Sequence, residues 1–331
     1  MIQLNLGLFS KYRKELMGIA TIFIIICHSP VYGVVMPSYM QKIWGNLGLG
    51  VDMFLFLSGM GMYNSYNANK SKNQTILYWF YKRYIRIVIP LILIGIPILL
   101  YNAPTKPQKE LISYIIELSG FGSLFGHSPL WFLGCILILY ALTPLLNNIL
   151  KYKNKWVYVF CICLICFIYA YTPPYNNIWH FMIQRWPIYI LGFTLAKDIK
   201  NNKSLSITYT IIMPSLLYII LFFLNHKLNM HFSLFNIQGL IIISISALVI
   251  EYLNNNKLNK VLSFMGVISL ESYITNEYLL RTLSTFSWTI NGHNINPGNW
   301  TFYFGGTAIC IIISYLANFL SKKVINHITI K

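Results

Sequence analysis

Three long apolar stretches each carry an ionisable side chain well inside them. His28 lies in LMGIATIFIIICHSPV, Asp52 in GLGVDMFLFLSGMGMYNSY and Glu271 in MGVISLESYITNEYLLR. Ser58 and Ser269 fall at comparable depth in the last two. An imidazole, two carboxylates and serine hydroxyls are the parts of general acid–base chemistry. A histidine within reach of a hydroxyl makes that weak nucleophile competent, and a carboxylate on the other ring nitrogen steadies the ring once it is protonated. Each residue also has a plainer explanation. His28 is equally a neutral ring bonded to a backbone carbonyl or a residue at headgroup level, and Asp52 a helix-end residue near the outer surface. Glu271 is harder to explain away, because a carboxylate in mid-membrane needs a partner or a proton.

A second group is cationic. In YWFYKRYIRIVIP, Lys82, Arg83 and Arg86 recur at helical spacing. Arg83 and Arg86, three apart, share a helix face and suit a phosphate gripped by two guanidinium groups, although a positive anchor on the cytoplasmic side explains them as well. Pro90 permits a bend just beyond them. A third stretch, GHSPLWFLGCILILYALTP, offers Trp131 and Tyr140 as pocket walls or as interfacial aromatics, with His127 at its outer edge. His180 and Arg185 form a weaker pair further on. The cysteine run CICLIC has a metal-like spacing, but all six cysteines sit in apolar segments, where packing is the better account.

The elements that must position these groups follow from composition. Hydrophobic residues make up 56% of the 331-residue chain and charged residues 10%. A soluble domain needs about 25% charged residues to cover its surface, so most of this surface must face lipid. At about 20 apolar residues per crossing, spans are expected near 15–35, 44–64, 83–101, 129–149, 156–172, 182–197, 205–225, 233–253, 261–280 and 300–320. A small interfacial helix is expected over 110–120. The fold class is therefore all-α, a polytopic membrane bundle of about ten helices. No long polar linker divides it, so a single membrane domain over 1–331 is expected, with no soluble appendage. The first span has the basic front of a secretory signal but lacks a small-residue cleavage pattern.

The net charge of +17 is a matter of topology rather than of nucleic acid, because the basic residues fall between apolar runs. With both termini in the cytoplasm, 19 of the 25 Lys and Arg residues lie on the cytoplasmic side and six on the other, as the positive-inside rule favours.

Five motifs in order, GIATIFIIICH, GVDMFLFLSGMG, FYKRYIRIVIP, PLWFLGCILILYALTP and MGVISLESYITNE, resemble the type-3 membrane acyltransferases from about residue 13 to 320. These are ten-span bacterial proteins that acylate, usually O-acetylate, cell-surface carbohydrates. The resemblance implies that His28 is the essential histidine and that Arg83 and Arg86 are the paired basic residues. It implies further that Ser58, Ser269, Tyr273 and Asn276, with Trp131, belong to the substrate-handling segments. Two positions depart from the family pattern: Met17 stands where Arg is frequent, and Asn276 where the late segment often ends in His.

On this reading acetyl-CoA, or another acyl-CoA, is the donor and no metal takes part. A carbohydrate or glycolipid is the acceptor, and the bacterial cytoplasmic membrane is the location. His28 is the base, Glu271 or Asp52 orients it, and Lys82, Arg83 and Arg86 hold the CoA phosphates. A transporter or flippase for a glycolipid or polysaccharide, and an inactive membrane sensor of the same fold, are the competing readings. The chain lacks the internal repeat with matched broken helices that would favour transport.

Overall fold

The computed structural model describes residues 3–105, 110–170, 177–228, 234–284, 288–290, 293–295 and 299–330. In chain order the helices are α1 (Gly7–Lys11), α2 (Arg13–His28), α3 (Ser38–Gly45), α4 (Gly50–Ser71), α5 (Ile76–Asn102) and α6 (Leu111–Leu118). They continue with α7 (Trp131–Ala141), α8 (Thr143–Ile149), α9 (Lys155–Ala170), α10 (Ile178–Ile183), α11 (Trp186–Lys200) and α12 (Met213–Leu228). The described set ends with α13 (Phe235–Leu253), α14 (Asn256–Val267), α15 (Ser269–Thr275), α16 (Arg281–Leu283) and α17 (Trp300–Ile330). Among the described residues, strand occurs only as two short antiparallel pairs, β1 (Gln3–Asn5) with β2 (Ser204–Ser206) and β3 (Trp288–Ile290) with β4 (His293–Ile295). The fold is all-α, as the apolar runs predict.

Five described helical stretches are long and apolar enough to cross a membrane: Ser38–Ser71, Ile76–Asn102, Thr208–Lys227, Phe235–Leu253 and Trp300–Thr329. The pair α7 and α8 makes a sixth if counted as one span bent by 48°. The bend falls where Pro144 opens α8, a first-turn position at which its missing N–H costs no hydrogen bond. The other four expected spans are helices that stop short or break. α2 has 16 residues, about 24 Å against a hydrocarbon core of about 30 Å. It ends at His28 because Pro30 follows and disfavours helical geometry at Ser29. α9 also has 16 residues, and the last two residues of its expected span lie outside those described. The run 182–197 divides between α10 and α11, and the run 261–280 among α14, α15 and the wider π-helical turn Asn276–Leu280. The interfacial helix expected over 110–120 is α6.

The chain falls into two compact units that interleave in sequence. One comprises Met1–Ala20, Gly48–Ile76 and Ile138–Gly266. Its centre is the pair α4 and α11, which touch backbone to backbone. A Cβ on Gly59 would stand 2.2 Å from the Tyr189 carbonyl oxygen, and one on Gly192 2.1 Å from that of Phe56. The N-terminal segment joins this unit at three places. β1 pairs with β2 in the register Gln3↔Ser206, and Lys11 Nζ donates to Glu251 Oε2 at 2.7 Å. That hydrogen bond raises the pKa of Lys11 above its ordinary value. Gly18 lies against the Leu262 carbonyl, the third contact. These contacts set the N-terminal segment against β2, the end of α13 and α14.

The other unit comprises Thr21–Leu47, Leu77–Leu137 and Val267–Lys331. Its core includes the buried Tyr32, Val34, Leu280, Tyr303 and Cys310. Small polar side chains lock α15 to α17: Thr275 Oγ1 and Ser314 Oγ share a hydrogen bond of 2.9 Å, and Ser314 Oγ donates to the Cys310 carbonyl at 2.6 Å. α5 runs beside the end of this region, with Gly95 against Tyr278 and Asn102 Nδ2 donating to Thr282 Oγ1 at 2.9 Å.

Candidate active site

His28 ends α2, and its Nδ1 stands 3.5 Å from Glu277 Oε1. The other oxygen of that carboxylate, Oε2, accepts from Arg281 Nη2 at 3.1 Å. Glu277 and Arg281 are four apart, the order in which a helix places an acid below a base. Their arrangement depends on the π-helical turn Asn276–Leu280, a local widening of the kind that helices place at functional sites. The side chain of Glu277 is 10% exposed and that of His28 22%, while that of Arg281 is 54% exposed. Glu277, the middle member of the row Arg281–Glu277–His28, is thus the least exposed of the three.

Four tyrosines line this row. Tyr32 meets the His28 ring edge-on with 6.2 Å between centroids, and its hydroxyl donates to the Asn276 carbonyl at 2.8 Å. Tyr303 stacks on Tyr32 at 6.3 Å, and its hydroxyl donates to the Ile25 carbonyl. Tyr278 follows Glu277 directly, and its hydroxyl donates to Glu117 Oε1 at 2.7 Å. Tyr273 lies one turn before Glu277, and its hydroxyl oxygen accepts the Phe132 N–H at 3.3 Å. Phe132 is the second residue of α7, so this N–H has no partner within its own helix.

The sequence-predicted residues divide between the two units. His28, Lys82, Arg83, Arg86, Trp131, Ser269, Glu271, Tyr273 and Asn276 belong to the second, Asp52 and Ser58 to the first. Neither carboxylate expected to orient His28 is the one beside it. Glu271 Oε1 accepts from Asn318 Nδ2 at 2.9 Å and ties α15 to α17. Asp52 is fully buried and accepts from Arg185 Nη1, whose guanidinium lies between the rings of Phe181 and Phe235 at 5.1 and 4.5 Å. Asp52 is thereby half of a buried ion pair. Ser58 is buried in α4, and Arg13 Nε donates to the neighbouring Leu57 carbonyl at 3.4 Å.

Asn276 uses its Nδ2 on the Ser272 carbonyl at 2.9 Å. Ser269 and Trp131 are half-buried first residues of α15 and α7. Arg83 is half-buried and Arg86 exposed near the start of α5, while Lys82 Nζ lies over the Tyr78 ring at 4.1 Å. All six cysteines are free. No cluster of three or more His, Cys, Asp or Glu residues fit to hold a metal occurs among the described residues. Half of the loop 291–300, residues 291, 292 and 296–298, lies outside the described residues.

Glu277 is the residue of this candidate site that sequence reasoning missed. It stands in the MGVISLESYITNE motif, six residues past Glu271, and a span drawn over 261–280 puts it at headgroup level where a carboxylate needs no explanation. The available signal was the Glu277–Arg281 spacing within an otherwise apolar stretch.

A hydrophobic, almost wholly helical chain with a histidine–carboxylate row inside a membrane-type fold defines the class as a helical membrane protein with an enzyme-like site. A family model described as an acyltransferase domain matches residues 16–319. The chain belongs to that family, the type-3 acyltransferases. No curated protein and no solved structure matches it.

Proposed function

We propose that this membrane acyltransferase moves an acyl group, acetyl by preference, from cytoplasmic acyl-CoA to a hydroxyl of a cell-surface or lipid-linked carbohydrate. Its place is the bacterial cytoplasmic membrane, with both termini in the cytoplasm. One observation carries the reading: His28 Nδ1 faces a carboxylate that Arg281 holds from behind. A ring whose Nδ1 faces Glu277 presents Nε2 as the base. Nε2 takes the proton of the acceptor hydroxyl, and the oxygen attacks the thioester carbon. The C–S bond then breaks, and the imidazolium returns the proton to the departing CoA thiolate. Glu277 stabilises the imidazolium in between, as a carboxylate does in a triad.

Arg83 and Arg86 would hold the CoA phosphates, with Lys82 beside them. Gly95 is level with Tyr278, and Arg83 lies 12 residues earlier on α5, about 18 Å along the axis. An extended pantetheine arm suits such a separation, so that nucleotide and acceptor need not share one side of the membrane.

The test is CoA release from acetyl-CoA by the protein in nanodiscs, with total cell-envelope glycan as acceptor. Wild type is expected to turn over, His28→Ala to fail at chemistry, and the Arg83→Ala/Arg86→Ala protein to show a raised KM for acetyl-CoA with kcat nearly kept. A wild-type protein that neither binds nor cleaves acyl-CoA sinks the reading.

A further inference from the structure

Of the four tyrosines around the His28–Glu277 pair, three have their hydroxyl protons committed. Tyr32 donates to the Asn276 carbonyl, Tyr303 to the Ile25 carbonyl and Tyr278 to Glu117. Tyr273 differs. Its hydroxyl oxygen accepts the Phe132 N–H, and among the described residues its own proton has no acceptor. A phenol has one proton to give and two lone pairs to receive, so this group is held by its acceptor side and left with its donor side unused. A hydroxyl whose oxygen already receives an N–H is polarised toward giving up its own proton in a hydrogen bond. The ring is fixed as well, meeting Phe132 edge-on with 5.7 Å between centroids. Tyr273 and Glu277 are four residues apart across the junction of α15 and the π-helical turn, so they belong to the same side of that element. The residue as a whole is half-buried.

We infer that Tyr273 is a further catalytic residue, the electrophilic donor of the acyl transfer, whose O–H bonds to the thioester carbonyl oxygen as that oxygen becomes an oxyanion. The inference rests on the acyltransferase reading above and adds a group to it. His28 moves the proton of the acceptor hydroxyl, the acceptor oxygen bonds to the carbonyl carbon, and negative charge gathers on the carbonyl oxygen. Tyr273 stabilises that charge without losing its proton. The charge then returns to re-form C=O, the C–S bond breaks, and the CoA thiolate takes the proton from His28. A pre-placed donor in a water-poor site does more than one in water, because nothing has to reorganise when the charge appears. Loss of one such donor lowers kcat by about 10²–10³-fold.

The experiment compares wild type, Tyr273→Phe and Tyr273→3,5-difluorotyrosine in nanodiscs, with acetyl-CoA and total cell-envelope glycan, following CoA by chromatography. The expected result for Tyr273→Phe is a kcat lowered by about 10²–10³-fold, with the KM for acetyl-CoA unchanged. The difluorotyrosine protein keeps the shape of the site and carries a more acidic phenol. It is expected to turn over at least as fast as wild type while that phenol is protonated, and to lose activity on a new falling limb of the pH profile once it ionises. A Tyr273→Phe protein as active as wild type, or one impaired only in KM, overturns the assignment while leaving His28 and acyl transfer intact. A Tyr273→Phe protein that fails to fold throws the decision to the difluorotyrosine profile, where absence of the new limb is the negative result. A wild type that releases no CoA overturns the parent reading and this one together.

Discussion

Glu277 stands between a histidine and an arginine, whereas Asp52 is buried against an arginine. Glu277 faces His28 and is expected to act on rate. Glu277→Gln keeps the size of the side chain but withdraws the charge that stabilises the imidazolium, so kcat should fall by about 10²–10⁴-fold with little change in the melting temperature. Steady-state CoA release beside a thermal melt checks both halves. Asp52 is bound to Arg185 with both groups nearly inaccessible, and is expected to act on stability. Removing one member of a buried pair strands the other charge and costs about 3–5 kcal/mol, whereas replacing both with apolar side chains is close to neutral. Asp52→Ala should therefore melt early in detergent, and Asp52→Leu/Arg185→Met should recover most of the loss. Equal melting of the two variants would show that the pair is not the cause. His28 was legible in the sequence because an imidazole among isoleucines is conspicuous. Its partner was not, since the choice among Asp52, Glu271 and Glu277 depends on which helix end meets α2, and that is a property of packing over a long sequence separation.

At the scale of elements, the apolar runs were legible and their interruptions were not. Hydropathy integrates over a window, so it finds α5, α13 and α17 easily. It passes over the stop at His28, the bend between α7 and α8 and the division of the 261–280 run. Each of these is set by one or two residues, Pro30 and Pro144 among them, or by the π-helical turn that re-aims Glu277. Close contact is decided just as locally. Gly59 and Gly192 let α4 and α11 meet with carbonyl oxygens where a Cβ would stand. Gly192→Ala forces the helices apart and should destabilise the protein by about 1–3 kcal/mol, read as an earlier loss of the monodisperse peak in a heated detergent extract. Gly45 has nothing within 4 Å of a Cβ, so Gly45→Ala serves as the matched control. If the two variants behave alike, the α4–α11 contact is not tight in solution.

At the scale of the whole molecule, the count of Lys and Arg predicts that the N-terminal segment, the 197–203 loop and the 257–260 turn share the cytoplasmic face. Single cysteines introduced at Lys11, Lys203 and Lys257 in a cysteine-free background should react together with an impermeant maleimide, from the cytoplasmic face only. Labelling of any one of them from outside intact cells would break the topology at that point. What composition did not reveal is that the chain makes two compact units from interleaved segments, because interleaving is a matter of which spans pack together and every span reads alike as apolar.

The pairing of β1 with β2 has a consequence for how the protein is made. The strand Gln3–Asn5 is made before its partner Ser204–Ser206, which follows about 200 residues later, on the order of 10–40 s at ordinary rates of synthesis. For that interval the N-terminal strand is an open edge, the kind of backbone that recruits whatever other strand is near. Lys11 waits longer still, since Glu251 is 240 residues away. The N-terminal segment therefore waits for partners that are made long after it. A bulky N-terminal tag bears on assembly of the finished unit rather than on insertion of the first helix, whereas a tag beyond α17 leaves that closing step untouched.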